Sequence, residues 1–327
     1  MLSNALPMLG VLAVLGMPPA TEAAQALPSA TQATVSLMID AVNTGARLVV
    51  VGDRGRILYS EDQGHEWHTA QAPTQQLLTA VYFADVLHGW AVGHDAQVLA
   101  TMDGGLTWTL QFQDSQRQSP LLGVWFKDAR HGLAVGAYGL LLATADGGQH
   151  WQDVSARVDN PDQLHFNAIT AVGDTELFIV GEQGSVFRSV DQGDHWQQLP
   201  VPYNGSLFGV VATGQPHTLL AYGLRGQLLR SSDSGDNWQT IALSGERGPL
   251  EFGLAKATLL EGGALVIVGN GGTVLRSDDH GLTFNRVART DRQALAGVAW
   301  VSADRLILTG QGGVRLASAT GREVTQP

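Results

Sequence analysis

Cysteine is absent from all 327 residues, which excludes disulfides, thiolate metal sites, a thiol nucleophile and a lipid-modified cysteine. It does not fix the compartment. Charge is scarce too: Asp, Glu, Lys and Arg make up 15% of the chain, against an ordinary share of about 25%. So low a share suits strands buried on both faces. The ten His are scattered. His65, His150, His195 and His280 recur in one kind of turn and His88 and His131 in another, none with metal-ligand spacing. No metal or cofactor is expected. Basic residues are outnumbered, with a net charge of −11. An acidic domain repels phosphate backbones and anionic lipid surfaces, so neither nucleic acid nor membrane insertion is expected.

No Lys or Arg precedes Arg47, so the basic start of an export signal is missing. The rest of such a signal is present. Asn4 to Met17 is an apolar run followed by Pro18-Pro19, and Ala24-Gln25-Ala26 offers a cleavage site before Leu27. The run is too short to span a bilayer. Residues 1–26 are therefore expected to be a signal peptide, residues 27–327 a single domain, and the mature chain periplasmic. The alternative is a structureless Ala/Pro-rich leader.

What is abundant is repetition. Thr101 to Trp108 reads Thr-Met-Asp-Gly-Gly-Leu-Thr-Trp, and the pattern returns at Ser60 to Trp67, Thr144 to Trp151, Ser189 to Trp196 and Ser231 to Trp238. A sixth copy, Ser277 to Phe284, ends on Phe, and a seventh is truncated after Gly310. Each is preceded by a glycine, at Gly52, Gly93, Gly136, Gly181, Gly223, Gly269 and Gly310, in steps of 41, 43, 45, 42, 46 and 41. A period of roughly 40–45 residues holding four short strands marks a propeller blade. One such sheet cannot bury both faces alone, so the blades must stack into a ring. The predicted fold is an all-β, seven-bladed propeller of four-stranded antiparallel blades. It is expected to be monomeric.

The inner strand of each blade reads apolar-x-small-apolar, as in Leu78 to Val81, Leu122-Gly123-Val124, Phe166 to Ile169, Phe208-Gly209-Val210, Phe252-Gly253-Leu254 and Leu295 to Val298. Blade one, with Leu37 to Asp40, lacks the small residue. In the repeated turn, Asp and Ser/Thr side chains satisfy turn amides, glycine supplies positive φ and Trp packs the outer strand onto its blade. The last blade needs a fourth strand, supplied either by Arg322 to Gln326 or by an N-terminal segment near Ser29 to Ala33. The second arrangement, a clasp on the ring, is favoured because it also removes an exposed edge.

The Ser/Thr-x-Asp-x-Gly-x-Thr-Trp turn resembles the Asp-box, or bacterial neuraminidase repeat. The longer pattern is more specific: Phe83-Ala-Asp85, His88-Gly-Trp-Ala-Val-Gly93 and Val98 through Trp108, with Phe126-Lys-Asp128 and His131 through Gly136 repeating it. Over roughly residues 35–318 the chain is similar to the photosystem II stability and assembly factor family, seven-bladed propellers of which relatives occur in non-photosynthetic bacteria. The resemblance implies a non-enzymatic, exported accessory factor docking a membrane-protein complex, an RND-type export system among the implied partners.

Propeller geometry places the turns between second and third strands on the face of the blade-to-blade linkers, opposite the Asp boxes, and ligands usually enter there. The turns carry Asp53-Arg54, His94-Asp95, Tyr138, Glu182, Arg225 and Asn270, and the linkers carry Arg117, Arg157, Arg247 and Arg292. These form the expected partner-binding set, since non-repeating polar residues on a repeating scaffold are where specificity resides. Arginine suits docking because its planar fork pairs with carboxylates and stacks on aromatics. Acidic neighbours such as Asp114 and Asp291 support the plainer reading of solvated loop charge. Arg188, Arg230 and Arg276 share one strand position and read as scaffold. The enzyme alternative is a glycosidase or glycan binder. A sialidase would need three clustered arginines and an Arg-Ile-Pro signature, and the nearest match is Arg56-Ile57-Leu58 inside a strand. Asp53, Asp95 and Glu182 could contribute a carboxylate pair.

Overall fold

A computed structural model describes residues 35–245 and 248–324. The expected signal peptide, the segment near Ser29 to Ala33 and Arg247 lie outside the described residues. The fold is the predicted propeller. Six antiparallel sheets hold four strands in sequence order, and a seventh holds three. Blade one comprises Met38–Asn43, Leu48–Gly52, Ile57–Ser60 and His68–Thr69, from the channel outward. The second strands are buried at every residue in blades one, two, three, five and six. Blade-on-blade packing thus explains the low charge.

The core is seven cores. Seven clusters of buried apolar residues occupy the seven seams between neighbouring blades. The closing seam joins Met38, Val50 and Leu58 of blade one to Ala299, Val301 and Ile307 of blade seven. Asn43 Nδ2 adds a hydrogen bond to Trp300 O at 3.1 Å across that seam. The C-terminal segment begins the fourth strand of blade seven: Ser318 N donates to Arg322 O at 2.9 Å, and Ala317 pairs antiparallel with Glu323. Arg289, with its side chain 2% exposed, holds this segment through Glu323 Oε1 at 3.3 Å. Of the two expected closures, the C-terminal one is seen as far as Val324, as a short hairpin that a buried arginine pulls inward; the N-terminal clasp lies outside the described residues.

The Asp boxes keep one hydrogen-bond plan in all six copies. In the first, Ser60 Oγ donates to Asp62 Oδ1 at 2.8 Å and accepts from Gly64 N at 2.8 Å, while Asp62 Oδ1 accepts from His65 N and Glu66 N. Each box aromatic, however, belongs to the seam with the preceding blade. Trp108 packs with Val49 and Val51 of blade one, and Phe284 with Leu220 and Leu228 of blade five. The preceding blade also reaches into the box: Arg47 Nη1 donates to Asp103 O at 3.1 Å, Gln111 Nε2 to Gly147 O at 2.9 Å and Arg188 Nη1 to Ser234 O at 2.9 Å. The motif locks seams as well as hairpins.

Candidate functional site

The face opposite the boxes is defined by one backbone bond repeated seven times. After the glycine ending each second strand, the next amide donates to the carbonyl just before the inner strand. Examples are Asp53 to Leu37 (2.9 Å), His94 to Leu77 (3.0 Å), Ala137 to Pro120 (2.9 Å), Leu224 to Ser206 (2.9 Å) and Gln311 to Ala294 (2.9 Å). Turns and linkers therefore share a face, as expected. The repeat glycine is required by this approach rather than by its torsion angles. In blades one to six its φ lies between −159° and −177°, ordinary extended backbone. An added Cβ would stand 2.1–2.4 Å from the linker carbonyl, a close approach only glycine permits.

Beyond it, two left-handed residues complete a tight hairpin turn of the type whose twist matches the flanking strands. The first of them is not glycine in five blades: Arg54 (φ 54°), Asp95 (57°), Tyr138 (57°), Gln183 (52°) and Arg225 (57°). A non-glycine residue there costs roughly 1 kcal/mol or more. The ring thus displays five side chains of four kinds at equivalent strained positions around the channel mouth. Arg54 is 76% exposed beside Asp53 (3.6 Å). Tyr138 is 58% exposed and sets its ring edge-on to His165 at 4.8 Å. Arg225 is exposed beside Tyr203. His94 and Asn270 are exposed on the same turns, and Glu182 Oε2 accepts from His165 N at 2.9 Å.

The linker arginines divide. Arg117 stays at the rim of this face, bound to Asp114 (3.4 Å) and Asp153 (2.7 Å). Arg292 is exposed and lines a cavity of about 560 Å³ with Phe252, Gly271 and Arg286. Arg157 is a correction. Its Nη1 donates to Gly193 O at 3.2 Å and pairs with Asp194 at 3.2 Å, so its long side chain runs down the seam to the Asp box of blade four. It is part of the scaffold, like Arg188.

The sequence reading missed the apolar share of this face. Phe252 (49% exposed), Leu224 (41%) and Leu37 (39%) stand among the charges. It also misplaced blade six. Leu254, not Phe252, pairs with the repeat glycine Gly269, and the inner strand is Leu254–Leu259. The position that is Ala80, Gly123, Ala168, Gly209 and Gly297 elsewhere is therefore Asp40 in blade one and Lys256 in blade six. The two exceptions meet: Lys256 Nζ lies 2.9 Å from Asp40 Oδ1 and 3.0 Å from Oδ2. The signal that could have found them is the nearly constant 14–16 residue offset from each inner-strand start to its glycine.

Between the inner strands runs a channel of about 510 Å³, its walls including Thr79, Leu122, Trp125, Asn167 and Phe208. Asp40 is the only carboxylate among the lining residues. Tyr222 crosses above Gly209, and burial pushes its hydroxyl pKa far up. Its oxygen accepts from Ala257 N at 2.9 Å. Among the described residues, no group of three or more His, Asp or Glu is placed to hold a metal ion.

The profile of the photosynthesis system II assembly factor YCF48 family matches residues 59–120 and 111–251, more than half of the chain. The chain belongs to this family. Among curated proteins none matches it in sequence. Solved structures share the fold at low identity. A YCF48 bound to a D1 peptide is 19% identical, with 90% of this chain and 95% of that one covered at a TM-score of 0.70. A streptogramin B lyase is 12% identical, covering 87% and 94% at 0.70. A GH74 xyloglucanase from Xanthomonas campestris is 14% identical, covering 87% and 52% at 0.69. This YCF48-family propeller therefore shares its architecture with a peptide-binding protein and with enzymes, and architecture alone does not choose between them.

Proposed function

We propose that this chain is a non-enzymatic accessory or assembly factor, exported to the periplasm, which docks a membrane-protein complex through its linker face. The observation that carries the reading is the asymmetry between faces. On the Asp-box face, the box carboxylates are consumed by turn amides and hydroxyls. The linker face displays Arg54, Asp95, Tyr138, Gln183 and Arg225 on strained turns beside exposed Phe252 and Leu224. Arginine and aromatic anchors of this kind dominate protein interfaces. A YCF48 has been solved bound to a D1 peptide, which supports peptide recognition by such a propeller. An RND-type export complex is the partner class to test first.

The test is affinity purification from detergent-solubilised membranes. The wild-type chain is expected to retain a defined integral-membrane partner. Arg54→Glu with Arg225→Glu loses it, and Met102→Ala, at a 77% exposed residue of an Asp-box turn, does not. Equal recovery by all three sinks the docking face.

A glycosidase is the second reading, favoured by the fold shared with the xyloglucanase. Glycoside hydrolysis needs two carboxyl groups, one held protonated. Asp40 stands alone in the channel, tied to Lys256. Every described carboxylate with a displaced pKa is displaced downward, the wrong direction for the acid. Turnover of xyloglucan or an aryl glycoside by the purified chain would reverse this reading.

A further inference from the structure

We propose that the central channel is a binding site for a neutral, planar, mainly apolar molecule carrying one carbonyl acceptor, held by Lys256. This site is separate from the docking face and does not depend on it. Three observations support it. First, the cavity of about 510 Å³ falls in the range of small-molecule sites, about 300–1,000 Å³. Second, its wall is two-sided: Tyr82, Trp125 and Phe208 supply aromatic surface from blades two, three and five, while Asp40 and Lys256 stand on blades one and six. Third, the ammonium of the ion pair has N–H donors to spare.

The hydrogen-bond count shows why. Asp40 Oδ1 accepts from Ala41 N (2.9 Å) and Oδ2 accepts from Val81 N (3.1 Å) and Lys256 Nζ (3.0 Å), while Nζ also stands 2.9 Å from Oδ1 as an ion-pair contact. Three donors and the adjacent ammonium charge satisfy the carboxylate. Its side chain is 4% exposed, so it offers a ligand nothing further. Lys256 carries three N–H donors, donates one hydrogen bond to Asp40 Oδ2 and is 39% exposed on the channel wall. Its other N–H groups are left for a molecule in the channel that Lys256 lines. The pair is neutral overall and Asp40 repels a second anion, so a carbonyl oxygen fits better than a carboxylate. An ion pair whose carboxylate is buried seldom stabilises more than apolar residues would. The two blades departing from Ala or Gly therefore need a reason beyond stability, and a ligand anchor supplies one.

The experiment titrates the full chain with 2-naphthamide, naphthalene and 2-naphthoate, followed by ligand-observed saturation-transfer NMR with calorimetry on any binder. The expected order is 2-naphthamide tightest, with the other two at least tenfold weaker. Asp40→Asn leaves the ammonium uncompensated and should reverse the preference toward 2-naphthoate. Because single variants of a buried pair can fail to fold, the double variant Asp40→Ala with Lys256→Ala restores the small residues of the other blades. It should melt as a folded ring while losing the preference for the amide. Absence of binding by all three probes overturns the proposal. So does an unchanged preference for the amide in the folded double variant.

Discussion

The glycine ending each second strand yields the sharpest prediction, because two of its possible roles have opposite consequences. If it served backbone freedom, replacing it at an extended φ would cost little. At Gly223, φ is −175°, and a Cβ would lie 2.1 Å from Ser206 O and 2.7 Å from Leu207 Cα. An ordinary carbon–oxygen contact needs roughly 3.3 Å, so the linker must retreat by roughly 1 Å. No rotamer relieves a clash with backbone. The retreat also strains the bond from Leu224 N to Ser206 O, 2.9 Å in the native ring. Overpacking costs about 1–3 kcal/mol and a weakened hydrogen bond about 1 kcal/mol, so Gly223→Ala should destabilise by about 2–4 kcal/mol. The control is Gly253→Ala in the neighbouring blade, whose Cβ would meet nothing nearer than 3.5 Å. It should be as stable as wild type or more stable by up to about 1 kcal/mol, as compatible Gly→Ala changes are. Urea unfolding followed by tryptophan fluorescence reads both. Thermal melts should place Gly223→Ala roughly 4–8 °C below wild type, at about 2 °C per kcal/mol for a large domain. Equal losses in the two variants, or a Gly223→Ala chain as stable as wild type, would refute close approach as the reason for the repeat.

Trp108→Ala removes a 4% exposed side chain from the seam between blades one and two and should cost about 3–5 kcal/mol in urea unfolding. Asp233→Ala breaks the fifth box, where Asp233 accepts from Ser231 Oγ, Asn237 N and Asn237 Nδ2. A loss of about 1–2 kcal/mol is expected, and none would make the box dispensable. Acid should loosen the ring from the Asp-box face. Hydrogen bonds from the His195 amide and ring hold Asp191 at about 2. At Asp279 burial pushes upward, but the Thr283, Ser277 and Leu282 donors outweigh it and also leave about 2. Depressed carboxylates stabilise fully above their ordinary range and lose that contribution as protons return. The melting temperature should be flat above about pH 5 and fall between about pH 4 and 2, and a flat profile down to pH 2 would contradict the box chemistry. A chain ending at Thr320 deprives Arg289 of Glu323 and Gly321 O and should melt lower than the full chain.

The fold was legible because it is written seven times. A turn that recurs with its glycine, carboxylate and aromatic at fixed offsets leaves one architecture, and the seam clusters confirm the count. The turns of the linker face were legible too, since the residue after each repeat glycine can be counted off. Harder to read was anything set by a neighbouring blade. Arg157 sits in a linker by sequence yet is consumed by the box of the next blade, because a long side chain can run the depth of a seam. Phe252 resembles an inner-strand residue, but the register against Gly269 moves it out onto the exposed face.

The sequence by itself determined blade number, strand order and which face carries variable residues, because these depend on local turn chemistry and on a period that chain order preserves. Only the tertiary structure decided what the repeats do to one another: that the Asp-box aromatic seals the preceding seam, that the C-terminal hairpin begins the last blade's outer edge, and that Asp40 and Lys256 meet. Those two residues lie 216 positions apart. Ring closure brings the first and sixth inner strands to one channel wall, where a buried carboxylate needs a partner and the half-exposed ammonium supplies it.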